Sequence, residues 1–389
     1  MTRGSIVLLG MMSKMPVAGV VWQTLHYLVG FERLGFESYY VEAHGITPTK
    51  QMTHAGDDAS ARAARFIERT LAPHGLGSRW AFHALHEREP RLFGMSEGEL
   101  RRVYESAALV VNLHGGTVPR PEHYASGRLV FLETDPVELQ IELHENRPRT
   151  IEFLEPHAAF FTFAENYGRP DCALPVSERF RFRPTRQPVV IDFWRPFSNG
   201  AGTHFTTVAN WRQQWRDVTL GGEVYRWSKH HEFVKHLDLP RRTRQEFELA
   251  LSNLDDASRA TLEAHGWRVR PALDFSHDPE EYRRYVARSR GEWTVAKDQN
   301  VRLRTGWFSD RSATYLAAAR PVVTQETGFS NHLPTGEGLF AFDTTDEAAA
   351  AVEEINRDHA RHARAAARVA REHFSHEVVL GRLLSDVGL

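Results

Sequence analysis

The chain has 389 residues, and at roughly 150 residues per domain it divides into two or three domains. Apolar residues make up 41% and charged residues 25%; both sit near the globular average, which excludes wholesale disorder and leaves room for a sizeable core. The 48 Lys and Arg against 50 Asp and Glu give a net charge of −2, so there is no global basic field for nucleic acid or anionic lipid. The single cysteine, Cys172, excludes a disulfide framework within the chain and any multi-cysteine zinc or iron–sulfur site. It also suits a reducing, cytoplasmic setting. No run reaches 18 apolar residues, so no membrane span is expected.

Arg3 followed by the apolar run 6–12 imitates a signal peptide, but Lys14 and Pro16 cut the run short. Residues 6–9 therefore read as a buried first strand. Residues 17–34 carry apolar side chains at helical spacing, Gly35 ends that pattern, and 37–42 read as a second strand. Strand, helix and strand in this order make a βαβ unit with parallel pairing. Residues 58–71 and 96–107 read as helices, the second opened by a Ser96/Glu99 capping box. The short apolar runs 109–113, 128–132 and 158–163 read as buried parallel strands. Pro and Gly then cluster over 169–203, with 184–188 and 197–202 placed as a domain connection.

The alternation restarts with a strand at 204–208 and helices at 229–236 and 243–251. A strand at 267–269, a helix at 279–288, a strand at 292–296, a helix at 312–319 and a strand at 321–323 follow, and 345 to the end reads as almost wholly helical. Two doubly wound α/β domains would place ligands at the carboxyl ends of their strands. His230-His231-Glu232 has the residue types of a metal cluster, but adjacent helical histidines point about 100° apart. No metal is expected.

The densest constellation lies in 306–330. Ser309 and Asp310 suit the cap of an alanine-rich helix. Free N–H groups at that helix start, joined by Arg311 and the hydroxyl of Ser312, would bind an anion. The next strand delivers Glu326, Thr327, Gly328, Phe329 and Ser330 to the same edge, where a carboxylate and a flexible Gly would meet a polyol.

The succession of that helix, Arg320-Pro321-Val322-Val323, Thr327-Gly328-Phe329-Ser330, the stretch Leu333-Pro334-Thr335-Gly336-Glu337-Gly338-Leu339 and a terminal helix resembles the C-terminal domain of GT-B glycosyltransferases. It is most similar to a bacterial subgroup. Residues 292–384 carry most of the likeness; the front half resembles the family more loosely, through 28–35 and Val41-Glu42. The chain departs from the family at one point. Many retaining members carry two glutamates separated by seven residues, and the corresponding positions here are Gly306 and Thr314.

The resemblance implies two Rossmann-like domains facing a cleft. Residues 1–190 would bind the acceptor, 191–375 the nucleotide-sugar, and 376–389 would cross back to the first domain. The expected function is transfer of a sugar from a nucleotide-sugar co-substrate to an unidentified acceptor, without metal, nucleic-acid partner or membrane segment. The leaving diphosphate needs neutralising, for which Arg311 and Lys297 are the candidates beside Ser309, Asp310 and Ser312. A base near the acceptor hydroxyl is sought in His114 or Asp135, with Lys14 and Glu133 on the acceptor side. A nucleotide-cofactor oxidoreductase would need G-x-G-x-x-G after the first strand, and 10–14 does not supply it. An epimerase of the same fold and an inactive nucleotide-sugar-binding module share the cleft.

Overall fold

The computed structural model describes residues 2–43, 45–195 and 202–389. Most of the 197–202 run placed in the domain connection lies outside the described residues. The first sheet is built from β1 (Ser5–Leu9), β2 (Glu37–Ala43), β3 (Trp80–His83), β4 (Leu92–Gly94), β5 (Ala107–Leu113), β6 (Leu129–Glu133), β7 (Ala159–Thr162) and β8 (Phe182–Pro184). Its order is β4-β3-β2-β1-β5-β6-β7-β8, all parallel except β4 at the edge. Both faces are covered. Ile6 and Leu8 pack under helix Ala18–Arg33, while Val7 and Leu9 pack with Leu100 and Val103 of helix Glu97–Ser106. Burial on both sides is why β1 reads as a continuous apolar run. The Ser96/Glu99 capping box forms as the sequence indicates.

The second sheet holds β9 (His204–Asn210), β12 (Glu246–Ser252), β13 (Arg268–Pro271), β14 (Gly291–Thr294), β15 (Val322–Gln325) and β16 (Leu339–Phe342) in the order β13-β12-β9-β14-β15-β16, all parallel. A hairpin of β10 (Val218–Leu220) and β11 (Glu223–Tyr225) stands apart. The helix expected over 243–251 is instead β12. Phe247, Leu249 and Leu251 alternate into the core with Phe205 and Trp293, a period of two that a helical count of apolar residues obscures. The terminal stretch is helical in pieces, Thr345–Arg357, His359–Val369 and His376–Asp386. The last piece lies on helix Ala18–Arg33, with Leu380 and His376 directly over Gly30.

The two halves are tied together at Asn166, just past β7. Its backbone N–H donates to the Thr305 carbonyl at 3.0 Å and its side-chain amide to the Arg304 carbonyl at 3.0 Å. Its Oδ1 accepts from His332 at 2.7 Å and Asn331 at 3.2 Å. Gly328 lies against this knot at φ 91, where an added Cβ would stand 2.1 Å from the Asn166 amide nitrogen. The motif glycine thus serves a close approach between halves. Gly328→Ala combines a left-handed backbone with a clash against a side chain that its bonds hold in place. It is expected to cost about 2–4 kcal/mol in urea denaturation; a loss below about 0.5 kcal/mol would show that the knot yields.

Candidate functional site

The carboxyl ends of both sheets border a cleft of about 530 Å³. On the first-sheet side, the loop after β1 is clamped from below. Tyr40 and Glu42 of β2 hold it: Met12 N–H donates to the Tyr40 hydroxyl at 2.9 Å and Ser13 N–H to Glu42 Oε1 at 2.7 Å. Gly10 admits the Tyr40 ring, which an added Cβ would meet at 2.5 Å. This clamp sets Met11, Lys14 and Met15 along the cleft wall. Burial lowers the Lys14 amine, partly opposed by Glu42.

His114 and Asp135 line the same wall at the ends of β5 and β6. His114 has φ 64. Its Nδ1 meets the Thr134 hydroxyl at 2.7 Å, while its Nε2 is buried with no hydrogen-bond partner. Burial pushes this imidazole down to about 4. Burial works against ionisation of Asp135, but Lys297 and Arg216 outweigh it and hold the carboxyl below its usual value. Asp135 does not cap a helix: helix Glu138–His144 has Val137 at its cap position. Glu133 points elsewhere. It is buried, accepts from the Gln140 amide at 3.0 Å and is pushed up to about 7 by burial, and it does not line the cleft.

The second-sheet side carries the charge. Lys297, past β14, places Nζ 2.6 Å from Asp135 and 3.1 Å from the centre of the Trp227 ring. Its partner is thus Asp135 across the cleft rather than neighbouring Asp298, which accepts from the Arg226 N–H at 2.7 Å. Arg216 lies on the Trp227 ring at 4.0 Å and donates to Glu138 at 2.7 Å. The Trp307 indole donates to the Thr134 carbonyl at 3.1 Å. Lys229 is only 8% exposed, lines the cleft and stands 5.6 Å from the Trp307 ring. Among the described residues its amine has no hydrogen-bond or ion-pair partner. Burial, with Arg311 and Lys297 nearby, pulls it well below its usual value.

Helix Asp310–Ala317 opens on the cleft through Ser309, Asp310 and Arg311, but not as the sequence indicates. Ser309 occupies the cap position without a side-chain bond. The Asp310 carboxylate lines the cleft at the helix start, and burial raises its pKa. The place for an incoming anion is thus partly filled by the helix's own acid. Arg311 is bound to fully buried Glu292 of β14 and donates to the Val208 carbonyl at 2.7 Å and the Thr294 hydroxyl at 2.8 Å. Ser312 is fully buried, its hydroxyl without a partner, and does not line the cleft. Neither do Glu326, Thr327, Gly328, Phe329 or Ser330. Glu326 folds back onto the Gly328 N–H, Thr327 donates to the Trp307 carbonyl at 2.7 Å and Phe329 packs on Phe308. Ser330 is exposed.

Lys229, Arg216 and Trp227 are absent from the sequence-based candidates. Their signal is positional: the segment after β9 leaves the sheet at 211 and returns to the strand end only at 229, through the β10–β11 hairpin. The His230 and His231 rings stand 3.9 Å apart rather than diverging, but among the described residues no three His, Cys, Asp or Glu side chains are grouped to hold a metal. His230 bonds the Ser228 hydroxyl at 2.7 Å, and Glu232 accepts from Lys235 at 2.6 Å and Gln325 at 2.7 Å.

No family model matches the chain, and no curated protein does. Solved structures match over almost the whole length. An alpha-glucosyltransferase in complex with UDP and a 13-mer DNA aligns at TM-score 0.58 and 10% identity, covering 100% of both chains. HepE of Anabaena in complex with UDP and glucose aligns at 0.55 and 12%, covering 99% of each chain. Sucrose-phosphate synthase from Thermosynechococcus elongatus aligns at 0.51 and 11%, again covering 99% of each. The architecture is the GT-B fold. Among the described residues no helix is long and apolar enough to cross a membrane.

Two outcomes follow from the buried charges. Arg311→Ala leaves Glu292 fully buried without its cation and is expected to cost about 3–5 kcal/mol in chemical denaturation; a cost below about 1 kcal/mol would mean water relieves that carboxylate. The His114 imidazole moves from 6.5 when unfolded to about 4 when folded. Between those values only the unfolded chain takes the proton, so this residue withdraws stability as pH falls from 6.5 toward 4. His114→Gln is expected to make the fall shallower by up to about 1.4 kcal/mol per pH unit, and the His114 ring resonances of the wild type are expected to stay flat above pH 5.

Proposed function

We propose that the chain is a glycosyltransferase that moves a sugar from a nucleoside-diphosphate sugar to an acceptor hydroxyl. The observation that carries this reading is the unpartnered, nearly buried Lys229 in a cleft lined by five cationic side chains and only two carboxylates. A departing diphosphate concentrates negative charge as the glycosidic bond breaks, and fixed cations in a partly dry cleft stabilise it most where charge develops. Lys229 receives the diphosphate, flanked by Lys297 and by Arg311, whose guanidinium the sheet below holds in place. The Trp307 ring offers a face for the base. No metal is required, because side chains supply the countercharge. The descriptions of HepE and the alpha-glucosyltransferase with UDP support the same donor class here.

The acceptor oxygen bonds to the anomeric carbon while the carbon–oxygen bond to diphosphate breaks, and that electron pair leaves with the nucleoside diphosphate. Neither His114, at about 4, nor the ion-paired Asp135 is tuned as a base for neutral pH. The hydroxyl proton therefore passes to the departing diphosphate, with neutral His114 on the cleft wall beside it. The lone cysteine is consistent with work in the cytoplasm.

Thermal shift against UDP, GDP, dTDP and ADP tests the reading, since a ligand that binds the native state raises its melting temperature. One nucleoside diphosphate is expected to stabilise the chain, and Lys229→Gln to weaken it about 10–100-fold. Turnover of the matching nucleotide-sugar separates a transferase from a binding module. No shift with any of the four at millimolar concentration would sink the proposal.

A further inference from the structure

We infer that the acceptor is an anion, an alcohol that also carries a carboxylate or phosphate group, and that Lys14 holds it by that group. This rests on the transferase reading above and names the substrate class for the first-sheet side of the same cleft.

Most polar groups on that wall already have partners. Asp135 meets Lys297 across the cleft, and the Thr134 hydroxyl meets His114 Nδ1. Two groups are left over. Lys14 lines the cleft, and among the described residues its amine has no hydrogen-bond or ion-pair partner. The carboxylate beneath it is engaged by the loop itself: Glu42 Oε1 accepts from the Ser13 N–H at 2.7 Å and the Tyr40 hydroxyl at 2.5 Å, and Oε2 accepts from the Ser13 hydroxyl. Gln23 lines the same wall at 7% exposure, and its amide also has no hydrogen-bond partner among the described residues. A nearly buried amide left unpaired is stabilised by a ligand that pairs it. Lys50 adds a second amine at the rim. Its Nζ touches the Met15 sulfur at 3.3 Å, a contact that leaves its charge unbalanced.

The diphosphate does not account for Lys14. Of the five cations in the cleft, three are balanced within the chain: Lys297 by Asp135, Arg311 by Glu292 and Arg216 by Glu138. Lys229 and Lys14 are not, and their surroundings are separate. The charges that act on Lys229 include Arg311, Lys297, Glu292 and Asp310, all of the second half, whereas those that act on Lys14 are Glu42 and Lys50, both of the first. An anion that satisfies Lys229 therefore leaves Lys14 unbalanced. Two unbalanced amines on opposite walls call for two anions, one on the donor and one on the acceptor. An ammonium is a compact charge with three donors, so it holds carboxylate and phosphate oxygens alike, and the Gln23 amide is left for a hydroxyl of the same molecule.

The test uses the full chain saturated with the nucleoside diphosphate that stabilises it, with inorganic phosphate and acetate as probes. At least one of these anions is expected to raise the melting temperature further, and the better of them separates phosphate from carboxylate. Lys14→Gln is expected to weaken that anion about tenfold and to leave nucleoside-diphosphate affinity within about twofold. Lys14→Arg, which keeps the charge, should stay within about threefold of wild type, so loss of the charge is told apart from a folding defect. No further shift with either anion, an unchanged anion affinity in Lys14→Gln, or a fall in its nucleoside-diphosphate affinity would overturn the assignment. So would a kcat/KM for glucose above those for glucose 6-phosphate and glucuronate, read by release of nucleoside diphosphate. Failure of the donor reading shows separately, as the absence of any nucleoside-diphosphate thermal shift.

Discussion

The Lys297 amine, held between the Asp135 carboxylate and the Trp227 face, fixes the cleft. Taking an ammonium out of water is costly, and burial lowers its pKa accordingly. A carboxylate at 2.6 Å and an indole at 3.1 Å return much of that cost. The carboxylate belongs to the first sheet and the amine to the second, so the contact that satisfies the charge also sets the two rows of strand ends opposite each other. Arg216 on Glu138 and Trp307 on the Thr134 carbonyl repeat the crossing beside it, and the Asn166 knot closes another edge of the same junction. The cleft is thereby largely formed before any ligand arrives.

The same logic separates two cations that look alike in sequence. Arg311 and Lys229 both reach the cleft, but Arg311 has Glu292 beneath it, and its guanidinium is satisfied on three atoms by the sheet below. Arginine suits this role because its planar fork meets several fixed acceptors at once. Lys229 has no such acceptor. Its strongest electrostatic neighbours after burial are the two cations Arg311 and Lys297. An amine so placed is stabilised by an incoming anion, whereas Arg311 is already stabilised without one.

Much of the fold was legible because its signals are local. The βαβ opening, the Ser96 cap and the double-sided apolar runs each follow from a few consecutive residues. Helix and strand were confused at 243–251, where Phe247, Leu249 and Leu251 alternate but Ala250 fills a position between them and blurs the period of two. The candidate site was legible only in outline. His114, Asp135, Lys14, Lys297, Ser309, Asp310 and Arg311 do reach the cleft, because the ends of parallel strands must gather at one edge. The sequence does not show which charges cancel: Glu292 lies nineteen positions before Arg311, and Asp135 lies far from Lys297, so their pairing appears only in three dimensions. The 326–339 stretch carries packing as well as the GT-B likeness. Its glycine and polar residues form the junction with the first half, and Glu337 pairs with Arg361 and Arg368 of a terminal helix.

The paired charges across the cleft answer one physical difficulty. A reaction that expels a diphosphate needs cations, yet cations hold water, and water both screens them and competes as an acceptor. Lys14 and Asp135 on the first-sheet wall face Lys297, Lys229 and Arg311 on the second, and the Asp135–Lys297 pair lets a ligand displace water from the cleft without stripping that amine of its partner. Once that water is gone the effective dielectric falls, and Lys229 and Lys297 act on developing charge more strongly than they do in the open cleft. The bulk of a bound ligand therefore contributes to the electrostatics of the step through the water that it removes.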